Sequence, residues 1–169
     1  STLILDAPYV IDQGPGLPKW KPANYSDEFY GLTTMRTGIE KSRNLMTIRL
    51  ANKIGIDAIL SSAKDFKIEK YLDKNMSMSL GSGLVTLIDL TNAYGIIANG
   101  GKEIKPNIIK SIYSRNGKQI LDNSNKFCNN CKLENININS NLPEIIKIAK
   151  EVVDPKIAYQ ITSMMEGVI

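Results

Sequence analysis

Histidine is missing altogether from the 169 residues, and that single absence removes several chemistries. A Ser-His-Asp triad, a Cys-His dyad, a histidine-ligated zinc and a histidine proton shuttle are all excluded within the chain. Acid–base work is left to Ser, Lys, Tyr, Asp, Glu or Cys, or to residues outside the chain. No apolar run reaches the roughly 18 residues that a membrane span needs. No basic segment followed by an apolar one marks a targeting peptide. Cysteine occurs only twice. Cys128 and Cys131 form a Cys-x-x-Cys, yet without a second pair or a histidine they cannot supply the about four ligands of a zinc site. A thioredoxin-like motif opens a helix after a strand, whereas this one lies in Asn-rich sequence. Two readings remain, a disulfide closing a surface loop in an oxidising compartment or two idle thiols. No metal and no cofactor is expected.

What is present describes a folded chain. Hydrophobic residues make up 43% and charged residues 22%, too apolar a balance for disorder, and the length suits one domain with a sizeable core. The net charge is +4. The lysines are scattered, and their densest stretches, 64–74 and 102–118, alternate with acidic or apolar residues. A nucleic-acid interface is therefore not expected.

Residues 1–31 are punctuated by Pro8, Gly14, Pro15, Gly16, Pro18 and Pro22 and read as irregular, pinned by Trp20, Tyr25, Phe29 and Tyr30. From 32 to 101 the pattern is helical. Thr33 or Thr34 is a plausible N-cap for a helix to about Lys41, and a second helix ends at Gly55. A third helix spans Asp57 to Phe66. Thr86 with Asp89 resembles a capping box that opens a further helix, with Leu87, Leu90, Tyr94 and Ile97 as its inner stripe. Residues 104–121 read as a β-hairpin around Asn116-Gly117. Residues 122–142 are Asn-laden and read as a loop or insertion. The final part, 143–169, carries an amphipathic helix from about Pro155.

Two short motifs invite a catalytic reading. Ser61-Ser62-Ala63-Lys64 matches the Ser-x-x-Lys of serine acyltransferases. A nucleophilic serine belongs at a helix N-terminus, where free N–H groups favour negative charge, whereas Ser61 falls in mid-helix. Ser61 and Lys64 are read as a chance match. Ser42-Arg43-Asn44 lies between two helical stripes whose phases do not join. Residues i and i+2 of a helix do not share a face, so the backbone must break for Ser42 and Asn44 to address one ligand. Alternatively, one of them simply caps the second helix.

The flanks of this tripeptide are informative. Trp20-Lys-Pro-Ala-Asn-Tyr25, Phe29-Tyr-Gly-Leu-Thr-Thr-Met-Arg36 and Glu40-Lys-Ser-Arg-Asn-Leu-Met-Thr-Ile-Arg-Leu50 resemble the transpeptidase domain of class A penicillin-binding proteins around its Ser-x-Asn motif. Leu80-Gly81, Val85-Thr86, Ala93-Tyr94, Ala98-Asn-Gly-Gly101 and 158–168 follow in that family's order. The resemblance implies an α+β fold of the penicillin-binding-protein and serine β-lactamase type, here a mainly helical lobe with one β-hairpin. It also implies a D,D-transpeptidase that cross-links peptidoglycan stem peptides through an acyl-serine and that β-lactams acylate. Carried over, Ser42 passes a proton towards the leaving amine and Asn44 contacts the acyl donor. Trp20 becomes a candidate cleft-side residue.

The family's nucleophilic Ser-x-x-Lys is expected before residue 1 and its Lys-Thr-Gly strand after Ile169. The 169 residues are thus expected to be an internal piece, inactive alone, of a protein that is also a glycosyltransferase. Periplasmic placement on the inner membrane, an anchor outside the chain and contacts with cell-wall synthesis proteins come from the same resemblance. A D,D-carboxypeptidase, a β-lactam-hydrolysing relative and a non-catalytic muropeptide-binding scaffold are the alternatives.

Overall fold

A computed structural model of the chain describes residues 2–123, 126–129, 144–147 and 149–168. Strand β1 (Leu3–Asp6) pairs antiparallel with β2 (Gly31–Thr34), Leu3 lying opposite Thr34 and Asp6 opposite Gly31. The segment 1–31 is therefore not wholly irregular. Its strand pairs with a partner far downstream, and local periodicity carries no signal for such a non-local ladder.

Thr34 ends β2 and caps α1 (Met35–Glu40), its Oγ1 accepting the Thr37 N–H at 3.2 Å. Helix α2 (Asn44–Ile54) supplies the centre of the core with Leu45, Met46, Ile48 and Ala51, all buried. It packs against β1 and a 3-10 turn at Met76–Leu80. On its outer side, Arg49 Nη2 donates to the carbonyls of Ala7 (3.2 Å) and Pro8 (2.8 Å). The Arg49 guanidinium also lies 4.4 Å from the Tyr9 ring centroid. Gly55, at φ 91° and ψ 145°, ends α2 and starts α3 (Ile56–Asp65), a backbone state essentially restricted to glycine.

Thr86 caps α4 (Leu87–Ala98), accepting the Asp89 N–H at 3.2 Å. The Thr86 hydroxyl donates to the Asp89 carboxylate at 2.6 Å, so Asp89 closes the cap through the side chain. The packed face of α4 is Ala93 and Ile96, not the stripe expected from periodicity; Leu87 remains 82% exposed. Leu90, Tyr94 and Ile97 instead line an open apolar groove of about 840 Å³ with Ile39, Phe66 and Ile161. Helix α5 (Pro155–Met165) packs on α4, and each contributes a buried alanine, Ala158 and Ala93.

The hairpin is shorter than expected, with β3 (Ser111–Tyr113) against β4 (Gln119–Asp122). Only Gly117 of its turn has positive φ, and the register shifts after Ile112. The Asn-Gly pair therefore sits in a bulged turn rather than a two-residue one. Strand β5 (Lys126–Asn129) pairs antiparallel with β6 (Glu144–Lys147). Part of the expected 122–142 loop, and the start of the expected helical 143–169 part, are thus strand. Among the described residues there are three two-stranded antiparallel sheets where one hairpin was expected. The class remains α+β and mainly helical.

Candidate functional site

Helix α1 ends in a Schellman motif. Arg43 N–H reaches back to Gly38 O at 2.8 Å and Ser42 N–H to Ile39 O at 3.0 Å. This motif needs a left-handed residue at the first position past the cap, and Ser42 occupies it at φ 51°. Two further helices end the same way. After α4, Gly101 N–H bonds Ile96 O (2.9 Å) and Gly100 N–H bonds Ile97 O (3.1 Å), and the left-handed position is a glycine. After α3, Ile68 N–H bonds Ala63 O and Lys67 N–H bonds Lys64 O, both at 2.9 Å. There the left-handed residue is Lys67, whose Nζ pairs with Glu103. That hydrogen bond holds the Glu103 carboxyl below its ordinary value. Ser42 is different. It is exposed, it is not glycine, and its hydroxyl has no hydrogen bond to any described residue. Asp27, at φ 54°, also holds a left-handed backbone, so the conformation makes Ser42 a candidate position rather than identifying it.

The break at residues 41–43 lets α2 start afresh. Arg43 is its N-cap and makes no side-chain cap bond, since a guanidinium carries only donors and cannot accept a helix N–H; the guanidinium lies 3.2 Å from the Tyr30 ring centroid. Asn44, the first helical residue, donates from Nδ2 to Ala23 O at 3.0 Å. Asn24 Oδ1 accepts the Leu45 N–H at 3.2 Å and so supplies the missing cap from elsewhere in the chain. Asn24 Nδ2 donates to Asp6 Oδ1 (2.8 Å) and to Glu28 O (2.9 Å). Asp6 is fully buried and Asn24 nearly so.

Ser42 and Asn44 thus flank Arg43 at one helix junction, an exposed serine and a half-buried asparagine at a positive helix end. A carboxamide has two N–H donors, so one hydrogen of Asn44 remains for a ligand carbonyl. Trp20 is elsewhere. Its backbone pairs with Ile11 in both directions at 2.9 Å. It lines a separate cleft of about 580 Å³ with Asp12, Asn52, Lys74 and Ser77. Asn52 lies two turns along α2 from Asn44, about 12 Å at 1.5 Å per residue. Neither Ser42 nor Asn44 lines that cleft. Ser61 and Lys64 are exposed on α3, and Ser61 lies well inside the helix rather than at its N-terminus. Cys131 lies outside the described residues, so the question of a Cys128–Cys131 bond does too. Asp6 and Asn24 escaped the reading of the sequence. A lone carboxylate ending the apolar run Leu3-Ile-Leu was the available signal.

A family model for the penicillin binding protein transpeptidase domain matches residues 2–169. Penicillin-binding protein 1A of Rickettsia bellii is 46% identical over 165 residues, which cover 97% of this chain and 21% of that protein. Among solved structures, penicillin-binding protein 1A from Haemophilus influenzae superposes with a TM-score of 0.80 at 24% identity, covering all of this chain and 26% of its own. An imipenem acyl-enzyme complex of penicillin-binding protein A from Mycobacterium tuberculosis gives a TM-score of 0.67 at 18% identity, over 98% of this chain and 38% of that one. At those identities the structures show a shared fold. The chain spans about a fifth of the length of the curated relatives it matches.

Proposed function

The chain belongs to the penicillin-binding protein transpeptidase domain family, and from that premise we propose that it forms part of a serine-type D,D-transpeptidase acting on peptidoglycan stem peptides. The observation that carries the reading is the left-handed Ser42, whose hydroxyl has no hydrogen bond among the described residues and which stands two positions before Asn44 at a helix break.

In this proposal a serine supplied by another part of the domain attacks the carbonyl before the terminal D-Ala and forms an acyl-serine. The lysine of that serine's Ser-x-x-Lys motif takes its proton; Ser42 Oγ hands a proton to the departing amine and is reprotonated from the same lysine. The second Nδ2 hydrogen of Asn44 binds the carbonyl of the donor side chain, while its Oδ1 accepts from that lysine. None of these roles needs an imidazole, in keeping with the absence of histidine. β-Lactams enter the same site as acylating agents. Among the described residues no helix is long and apolar enough to cross a membrane. Placement at the periplasmic face of the inner membrane, through an anchor elsewhere in the protein, belongs to the same proposal, as does a glycosyltransferase domain.

The test is a product assay on the intact protein with a D-Ala-D-Ala stem peptide, with and without an acceptor amine. Cross-linked dimer formed only with the acceptor supports transfer, and Asn44→Ala should suppress it. Release of D-Ala without dimer would identify a carboxypeptidase. Neither product in an intact protein with a competent nucleophile would leave the scaffold reading.

A further inference from the structure

The buried pair Asp6–Asn24 takes no part in the chemistry assigned to Ser42 and Asn44. We infer that Asn24, seated on the Asp6 carboxylate, is a positioning residue that sets the Asn44 carboxamide for its substrate; this rests on the proposed role of Asn44.

Three of the four hydrogen-bonding directions of the Asn24 carboxamide are committed. Its two N–H groups go to Asp6 Oδ1 and Glu28 O, and its oxygen takes the Leu45 N–H. The side chain therefore cannot turn. The carbonyl immediately before it, Ala23 O, is the acceptor of Asn44 Nδ2. Two adjacent residues of the 23–24 segment grip two adjacent residues at the start of α2, one through the side chain of Asn44 and the other through the backbone of Leu45. The anchor of the grip is Asp6, buried at the end of β1, where the ladder to β2 fixes the backbone.

A cap alone would need much less. Ser, Thr or Asp at position 43 would cap α2 locally, without burying a carboxylate that leaves Oδ2 without a partner. Arg43 holds that position instead, stacked on Tyr30. The buried arrangement adds a fixed orientation of Asn44 that a local cap does not give.

The experiment is a double-mutant cycle on the intact protein, following acylation by a fluorescent penicillin alongside the thermal transition of each variant. Asn24→Ala should slow acylation by about tenfold to a hundredfold, the usual penalty for a misplaced reacting group, with the transition retained. The double variant Asn24→Ala/Asn44→Ala should match Asn44→Ala within about twofold. If the two losses multiply, or if Asn24→Ala acylates at the wild-type rate, Asn24 is a structural cap and the inference is overturned. A wild-type rate in Asn44→Ala alone removes the proposed function itself, a different failure from either of those. Should Asn24→Ala not fold, the same cycle is run with Asp6→Ala. In that case Asp6→Asn, which keeps an oxygen for Asn24 Nδ2, restores most of the rate; no restoration overturns the inference.

Discussion

Replacing Ser42 by glycine should make the protein more stable and less active at once. Ser42 holds φ 51° to complete the Schellman motif of α1, and an L-residue in that region costs about 1–2 kcal/mol. Glycine avoids that cost but loses about 0.5–1 kcal/mol more backbone entropy on folding. The balance favours Ser42→Gly by roughly 0–1.5 kcal/mol. In a domain at least as large as these 169 residues, that is a rise of at most about 6 °C in the thermal transition. Ser42→Ala keeps the strained conformation and loses only the hydroxyl, so its transition should stay close to wild type. If the hydroxyl relays a proton, both variants lose acylation by a fluorescent penicillin, by about 10²–10⁴-fold. The assay pairs thermal unfolding with acylation rates on the intact protein. A Ser42→Gly variant that melts lower than wild type would refute the account of the strain. One that acylates at the wild-type rate would refute the relay.

Three further outcomes follow from the packing. A Cβ at Gly101 would sit 2.1 Å from Val153 O at φ 83°, where the Gly101 carbonyl also receives the N–H groups of Val152 and Val153; Gly101→Ala should cost about 2–4 kcal/mol in denaturant unfolding, whereas Gly100→Ala, with open space around it, should cost only the roughly 0–1.5 kcal/mol balance of strain and entropy worked out for position 42. Arg36 ties α1 to α5 through Ser163 O (2.7 Å) and Ser163 Oγ (3.0 Å); lysine cannot make that two-point contact, so Arg36→Lys should lower stability by about 1 kcal/mol. The Glu103 carboxyl is held below its ordinary value of 4.5 by the Lys67 hydrogen bond. Its contribution is complete above that value and fades as the pH falls through the lower folded-state value. Stability measured against pH should therefore show an acid-side loss in wild type that Glu103→Gln lacks, and identical profiles would contradict the pairing.

The sequence made the helices legible because their caps and stops are local. Thr34, Gly55, Thr86 and Asn99-Gly100 lie where the structure starts or ends a helix. What it concealed was non-local. Strand β1 pairs across the whole 7–30 segment, and β5 finds β6 beyond the Asn-rich stretch. The α4 stripe was misread for a related reason. Leu90, Tyr94 and Ile97 do share a face, but that face opens on a groove, while Ala93 and Ile96 are the buried residues of the helix. At the candidate site, the phase mismatch between two helical stripes announced the break at residues 41–43. It could not announce that Ser42 would be left-handed, nor that Asn24 and Asp6 would hold the far side of the junction. Trp20 entered beside Ser42 and Asn44 through the family resemblance, and it lines a cleft to which neither of them contributes.

The most direct test is a crystal structure of the intact protein acylated by a penicillin. The account predicts the Asn44 carboxamide within about 3 Å of the amide carbonyl of the bound acyl group, and Ser42 Oγ at a similar distance from the ring nitrogen released on opening. An acyl group seated away from the α1–α2 junction, touching neither residue, would contradict it.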